Sequence, residues 1–201
     1  MEDYAKVQKN RKYSMAFTTC SLLHQESIQL ATLYLEQKDW KVTQEIATKT
    51  NLLQYRTESA LKRTLSEIIC RFKYLSEQDI KVLVRANFKE QVQILWFAVC
   101  LWFPFIYEFA SEVILEKYRI RQLELTQFDY DVFFNEKLNW HEELEKITDS
   151  TRYKLKQVLF KMLKEVGIID KNNFITPSLI GFDVKEIIEK YNKEYLKIFP
   201  N

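Results

Sequence analysis

Residues 94–107 read ILWFAVCLWFPFIY, an unbroken apolar and aromatic run. A surface helix keeps a polar face, so a run of this kind is either a membrane span or a helix buried on all sides. It falls short of the roughly 20 residues a span requires, and Pro104 interrupts it. Residues 91–103 therefore read as an apolar core helix, with a second helix starting near Pro104 and running to Tyr118.

The composition around this run narrows the class. Of 201 residues, two are glycine and three proline, while 47% are hydrophobic, 14% aromatic and 29% charged. The apolar fraction is ample for a packed core. Gly167 and Gly181 alone cannot build the glycine-rich loops that close around nucleotide phosphates, which excludes Rossmann and P-loop sites. The Gly, Pro and Asn-Gly turns of β-sandwiches and barrels are equally scarce. The expected class is all-α, in two helical subdomains, with a small β-hairpin wing near 168–176 as a candidate addition.

Helical periodicity runs from Leu22 to Gln37, and Asp39 is a candidate N-cap for a short helix to Thr48. After a connector at 50–56, Thr57 or Ser59 opens a longer helix with Leu61, Leu65, Ile68 and Phe72 on its inner face. Residues 39–74 thus form a helix-turn-helix-like unit. Ser76, followed by Asp79, starts another helix. Near 119–125 the composition shifts, which places a boundary between an N-terminal helical domain (1–122) and a C-terminal winged-helix-like domain (123–201). In the latter, Thr126 caps a helix with Phe128, Val132 and Phe133 on one side, and a short helix covers 141–147. Asp149-Ser150-Thr151 caps a long helix to Val166, and Gly167 is its left-handed stop. Two short runs around Asp170-Lys171-Asn172-Asn173 predict the hairpin, and the tail returns to helix from Asp183 to about Lys197.

Little here suggests catalysis. His141-Glu142 begins like H-E-x-x-H, but the second histidine position is Glu145, so the zinc-protease pattern fails. His24 reads as structural. Cys20, Cys70 and Cys100 are odd in number and widely spaced, and fit reduced core thiols of a cytoplasmic protein. Residues 1–13 carry Lys6, Lys9, Arg11 and Lys12 without the apolar stretch of a signal peptide. No catalytic residue, cofactor or metal site is expected, and no membrane partner.

The net charge of +2 says little, but its distribution does. From 124 to 149, eight acids (Glu124, Asp129, Asp131, Glu136, Glu142, Glu143, Glu145, Asp149) stand against Lys137 and Lys146. From 150 to 166, Arg152, Lys154, Lys156, Lys161 and Lys164 stand against Glu165. Projecting the long helix at 100° per residue collects Leu155, Val158, Leu159, Met162 and Val166 inward. Ser150, Tyr153, Lys154, Gln157, Lys161 and Lys164 face outward. The helix after Thr57 likewise turns Ser59, Lys62, Arg63, Ser66 and Lys73 outward, with Arg56 just before it. Lys, Arg and hydroxyl groups suit phosphates, and Gln suits an adenine edge. The candidate DNA-contacting residues are Arg56, Ser59, Lys62, Arg63 and Lys73, with Ser150, Thr151, Arg152, Tyr153, Lys154, Gln157 and Lys161. Two ordinary solvated helix faces would show the same pattern.

Several ordered stretches resemble a known family. They are Tyr13-Ser14-Met15-Ala16-Phe17-Thr18-Thr19, Glu26-Ser27, Tyr34-Leu35-Glu36, Asp39-Trp40, Asn51-Leu52-Leu53-Gln54, Arg56-Thr57, Ser59 and Leu61-Lys62-Arg63. Further along come Leu95-Trp96-Phe97-Ala98-Val99-Cys100, Phe133-Phe134-Asn135, Trp140-His141, Thr148-Asp149-Ser150-Thr151-Arg152 and Phe199-Pro200. Together they look like the BrxA family, accessory proteins of bacterial BREX (bacteriophage exclusion) defence. The resemblance implies a cytoplasmic, non-enzymatic, all-helical protein similar to the NusB fold that binds double-stranded DNA beside other BREX components. Two other readings stay open: an adaptor that docks a defence protein through its acidic segment or exposed aromatics, and RNA binding by analogy with the NusB fold. Sequence leaves the oligomeric state open.

Overall fold

The computed structural model describes residues 12–18 and 21–201; Cys20 lies outside the described residues. The fold is all-α. Helices α1 (His24–Gln37), α2 (Trp40–Lys49), α3 (Glu58–Phe72) and α4 (Glu77–Arg85) precede the core helix α5 (Phe88–Trp102). Helix α6 (Pro104–Arg119) contains a π-helical segment, Phe109–Ile114. There follow α7 (Gln127–Leu138), α8 (Glu142–Glu145), α9 (Asp149–Val166), α10 (Phe182–Tyr191) and a 3₁₀ segment, Lys193–Ile198.

Helix α5 is buried on every side from Val92 to Leu101, as its apolar circumference demands. Helices α3, α4, α9 and α10 all pack against it. The tail is tied to it as well: Trp96 Nε1 donates to the Ile198 carbonyl at 3.3 Å, and Gln93 Nε2 to that of Leu179 at 2.9 Å. The core is continuous across the expected boundary at 122, joining Leu65 and Phe72 with Phe133, Leu159 and Ile188. Phe103 is held extended before Pro104, which occupies the first turn of α6 where no N–H is needed, and the chain bends by 116° there. Among the described residues no single helix is long and apolar enough to cross a membrane.

Caps set most boundaries. Asp39 accepts from the Lys41 and Val42 amides, Thr57 from Ala60, and Ser76–Asp79 and Thr126–Asp129 form capping boxes. Three boundaries and the hairpin differ from expectation. Asn87 caps α5, so that helix begins at Phe88 rather than Gln91. Thr148, not residues 149–151, caps α9 by accepting from the Thr151 amide. Asn192, extended at φ −170°, splits the tail helix. Gly167 does stop α9 at φ 78°, but the expected hairpin reduces to single bridges, Ile169–Ile175 and Glu124–Phe174, with no strand among the described residues. The flanking runs are too short for a ladder, and Pro177 lacks the N–H to extend one.

Asp79 joins α4 to α10. Its carboxylate accepts from the Ser76 amide and hydroxyl, from the Tyr191 hydroxyl at 2.6 Å and from Lys190 Nζ at 2.9 Å. Burial alone would raise its pKa; the bonds from Ser76, Tyr191 and Lys190 outweigh burial and hold it below the ordinary 3.8. A depressed folded pKa stabilises above 3.8 and is lost as pH falls through the folded value. Asp79→Ala should therefore cost about 3 kcal/mol in neutral urea denaturation, with the gap to wild type narrowing below about pH 4. A gap that is constant with pH would remove the ionised carboxylate from this role.

Candidate nucleic-acid interface

The two basic helices differ in how many of their cations remain available. On α3, Leu61, Leu65, Ile68 and Phe72 are buried as projected, which leaves Arg56, Ser59, Lys62, Arg63 and Lys73 exposed. Lys62 pairs with Glu58 at 2.5 Å, but both side chains are more than half exposed, so the pair is weak and open to competition by phosphate. Burial also shapes Glu58 little: the Lys62 bond, then its charge, lowers its pKa. Among the described residues Arg56, Arg63 and Lys73 have no ion-pair partner. Arg56 also borders a recess of about 440 Å³ with Thr48, Lys49, Asn51 and Tyr55 at the turn between α2 and α3.

Arg71, unmarked by the projection, is buried on the same helix. It pairs with Glu67 at 3.1 Å and donates to the Ser21 and Leu22 carbonyls, fixing the entry to α1.

Along α9 the cations split into two sets. Arg152 and Lys156 turn back onto α7, where Asp131 receives both, at 3.2 and 2.7 Å. Arg152 also donates to Asn135 Oδ1 at 2.9 Å and lies 4.3 Å from the centre of the Phe134 ring. Lys156 sits over Tyr130, whose phenol is raised chiefly by burial while Arg152 acts the other way. The projection placed Lys156 on neither face; Arg152, chosen from the matched stretch, is engaged within the chain. By contrast Tyr153, Lys154, Gln157 and Lys161 point outward. Lys161 holds only a loose contact with Glu165 at 3.7 Å, and its side chain is 64% exposed. Ser150 and Thr151 serve the N-cap, bonding with Thr148 Oγ1 at 3.1 and 3.0 Å. Phe160 and Leu163 join the buried face, which the projection did not include.

The other matched stretches also meet in space. Tyr13 stacks on His141 at 3.6 Å between ring centres, while its hydroxyl donates to Glu108 and its amide to Glu143. Tyr34 stacks on Trp40 at 3.8 Å. Burial first, and then the Glu108 bond, raises the Tyr13 phenol well above its usual range. His24 Nε2 donates to Gln91 Oε1 at 2.8 Å, and the ring packs edge-on against Phe88. Cys70 and Cys100 are free thiols, and burial raises both.

The geometry defines an all-helical protein with an acidic helix docked against the inner side of a basic one. The BrxA family profile matches residues 11–192 of the chain. Similar curated proteins include BREX protein BrxA of Bacillus cereus (strain H3081.97), 30% identical over 154 residues, covering 75% of this chain and 76% of that protein. BREX protein BrxA of Escherichia coli O9:H4 (strain HS) is 25% identical over 169 residues, covering 84% and 79%. A crystal structure of an uncharacterized protein from Magnetospirillum magneticum shares the fold, with TM-score 0.80 at 19% identity, covering 95% of this chain and all of that one. The chain belongs to the BrxA family of BREX systems and is an accessory protein of BREX defence.

The split on α9 has a measurable consequence. Arg152→Ala should lower stability by about 2–3 kcal/mol, since it leaves the Asp131 carbonyl and carboxylate short of donors. Lys154→Glu should change it by less than about 0.5 kcal/mol. Equal losses in thermal or urea denaturation would contradict the division.

Proposed function

We propose that the chain is a non-enzymatic accessory protein that binds double-stranded DNA through the outward faces of α3 and α9. It would do so in the cytoplasm, beside other BREX components. The observation that carries this reading is the sorting of charge on α9: the cations facing α7 are held in ion pairs by Asp131, while Tyr153, Lys154, Gln157 and Lys161 are left to solvent. The exposed residues of α3 supply a second surface of the same chemistry. Three helices followed by a β-bridged turn is also the element order of a winged helix-turn-helix, and supports the reading by analogy.

Phosphate contacts would dominate and base reading would be weak. With about four to six phosphates neutralised, log affinity should fall against log salt with a slope of roughly −4 to −5 in mobility-shift titrations. Charge reversal of Lys62 and Arg63 together, or of Lys154 and Lys161 together, should each weaken duplex binding by about tenfold or more. An unchanged affinity for either pair removes that helix from the interface, and absence of binding at low salt sinks the proposal. Competition with single-stranded RNA tests the alternative ligand: duplex DNA should win.

A further inference from the structure

We infer that the groove between α6 and α7 is the docking site for a basic-faced amphipathic helix of a partner protein. The helical pattern puts Phe128, Val132 and Phe133 on one side of α7. Phe133 is buried, with Tyr130 and Phe134, but Phe128 is 73% exposed and Val132 39%. A helix with two apolar faces has one for the core and one that the chain itself leaves uncovered. Residues 128, 132 and 136 are four apart and form one ridge along that second face.

Across from this ridge stand Val113 of α6 and Ile120 just past its C-terminal end, the latter 59% exposed. The two walls enclose an open recess of about 380 Å³. Val113 and Glu112 belong to the π-helical segment against which α7 packs. The extra residue in a π turn swings side chains off the α-helical register, a distortion that recurs at functional sites.

Charge selects the occupant. The recess is lined by four carboxylates, Glu112, Glu116, Asp129 and Glu136, against one ammonium, Lys117. The nearby bases already face carboxylates of this chain: Lys117 meets Asp129 at 2.8 Å, Arg119 meets Glu116 at 2.8 Å, and Lys137 meets Glu108 and Glu112. Among the described residues Glu136 has no ion-pair partner. The same pairs occupy Glu112, Glu116 and Asp129, so the excess of negative charge that disfavours a nucleic acid or an anionic bilayer rests mainly on Glu136. A helix with apolar anchors at i, i+3, i+4 and i+7 and lysines or arginines on its flanks would fill the floor and satisfy the rim.

The test uses the full chain and two labelled synthetic helical peptides that share one Leu/Ile stripe, with either Lys or Glu at the remaining positions. The Lys peptide should saturate the chain in fluorescence anisotropy, with affinity falling as salt rises. Phe128→Asp or Ile120→Asp should weaken it by at least about tenfold, and Glu136→Lys by about threefold or more. All three positions are exposed, so circular dichroism should show each variant folded. Trp140→Ser, at an aromatic that is 84% exposed elsewhere, should leave binding unchanged. The inference is overturned if the Lys peptide does not saturate, if the Glu peptide binds equally, if Phe128→Asp has no effect, or if Trp140→Ser costs as much. Sedimentation of the chain alone that shows a dimer lost in Phe128→Asp would make the occupant a second copy, and also overturns it. Duplex binding should be the same for Phe128→Asp and wild type; a parallel loss would place the groove within a DNA interface instead.

Discussion

The structure depends on one constraint: from Val92 to Leu101 α5 has no solvent-facing side, so every direction around that stretch must be covered by protein. Ile94, Trp96, Phe97, Ala98, Val99 and Cys100 are all fully buried. Helices α1, α3, α4, α9 and α10, drawn from both halves of the chain, meet that demand, and the 3₁₀ tail closes it through Tyr195 and Ile198. Burial of this much apolar surface is the dominant favourable term, and it sets where the remaining elements can sit. The bend at Pro104 follows from the same constraint. It turns α6 away from the axis of α5 and lets aromatic rings of α7 pack against Phe105 and Phe109.

Much of the local structure was readable from residue chemistry. Asp39, Thr57, Ser76 and Thr126 cap where their side chains predict, because a cap needs only an oxygen within reach of amides two or three residues ahead. Gly167 was readable for a similarly local reason, since it takes φ 78° without a Cβ to clash. Gly181 was not readable. A Cβ there would come within 2.4 Å of the Glu90 side chain, a contact between segments about ninety positions apart that no local pattern encodes. The same limit applies to Phe128 and Val132. Their spacing on α7 is that of a buried face, and only the positions of α6 and the core show that another face of the helix was chosen.

Several residues that carry the family resemblance are fastenings between segments. Tyr13 reaches His141 and Glu108, Tyr34 reaches Trp40, and Arg152 reaches Phe134 and Asn135. Each joins two stretches that are separate in sequence, through a stacked ring or a charged hydrogen bond with fixed geometry. This accounts for a signature spread over the whole chain. It also changes the weight given to Arg152, whose place among the matched residues follows from holding α9 to α7.

Asp131 then decides how a nearly neutral chain can present a basic surface. Eight acids in residues 124–149 lie directly before five bases in residues 150–166, and two helices of opposite charge packed face to face would cancel outside the molecule. They do not, because the cancellation occurs on one side only. Asp131 takes Arg152 and Lys156 at the α7–α9 contact, where both bases are mostly buried. The remaining acids of α7, among them Glu136, face the groove toward α6, and the remaining bases of α9 face outward. One carboxylate thus keeps two surfaces of opposite sign apart on adjacent helices. Removing it would free two cations on one side and leave the groove acids unchanged, so the acidic and basic surfaces can be altered independently.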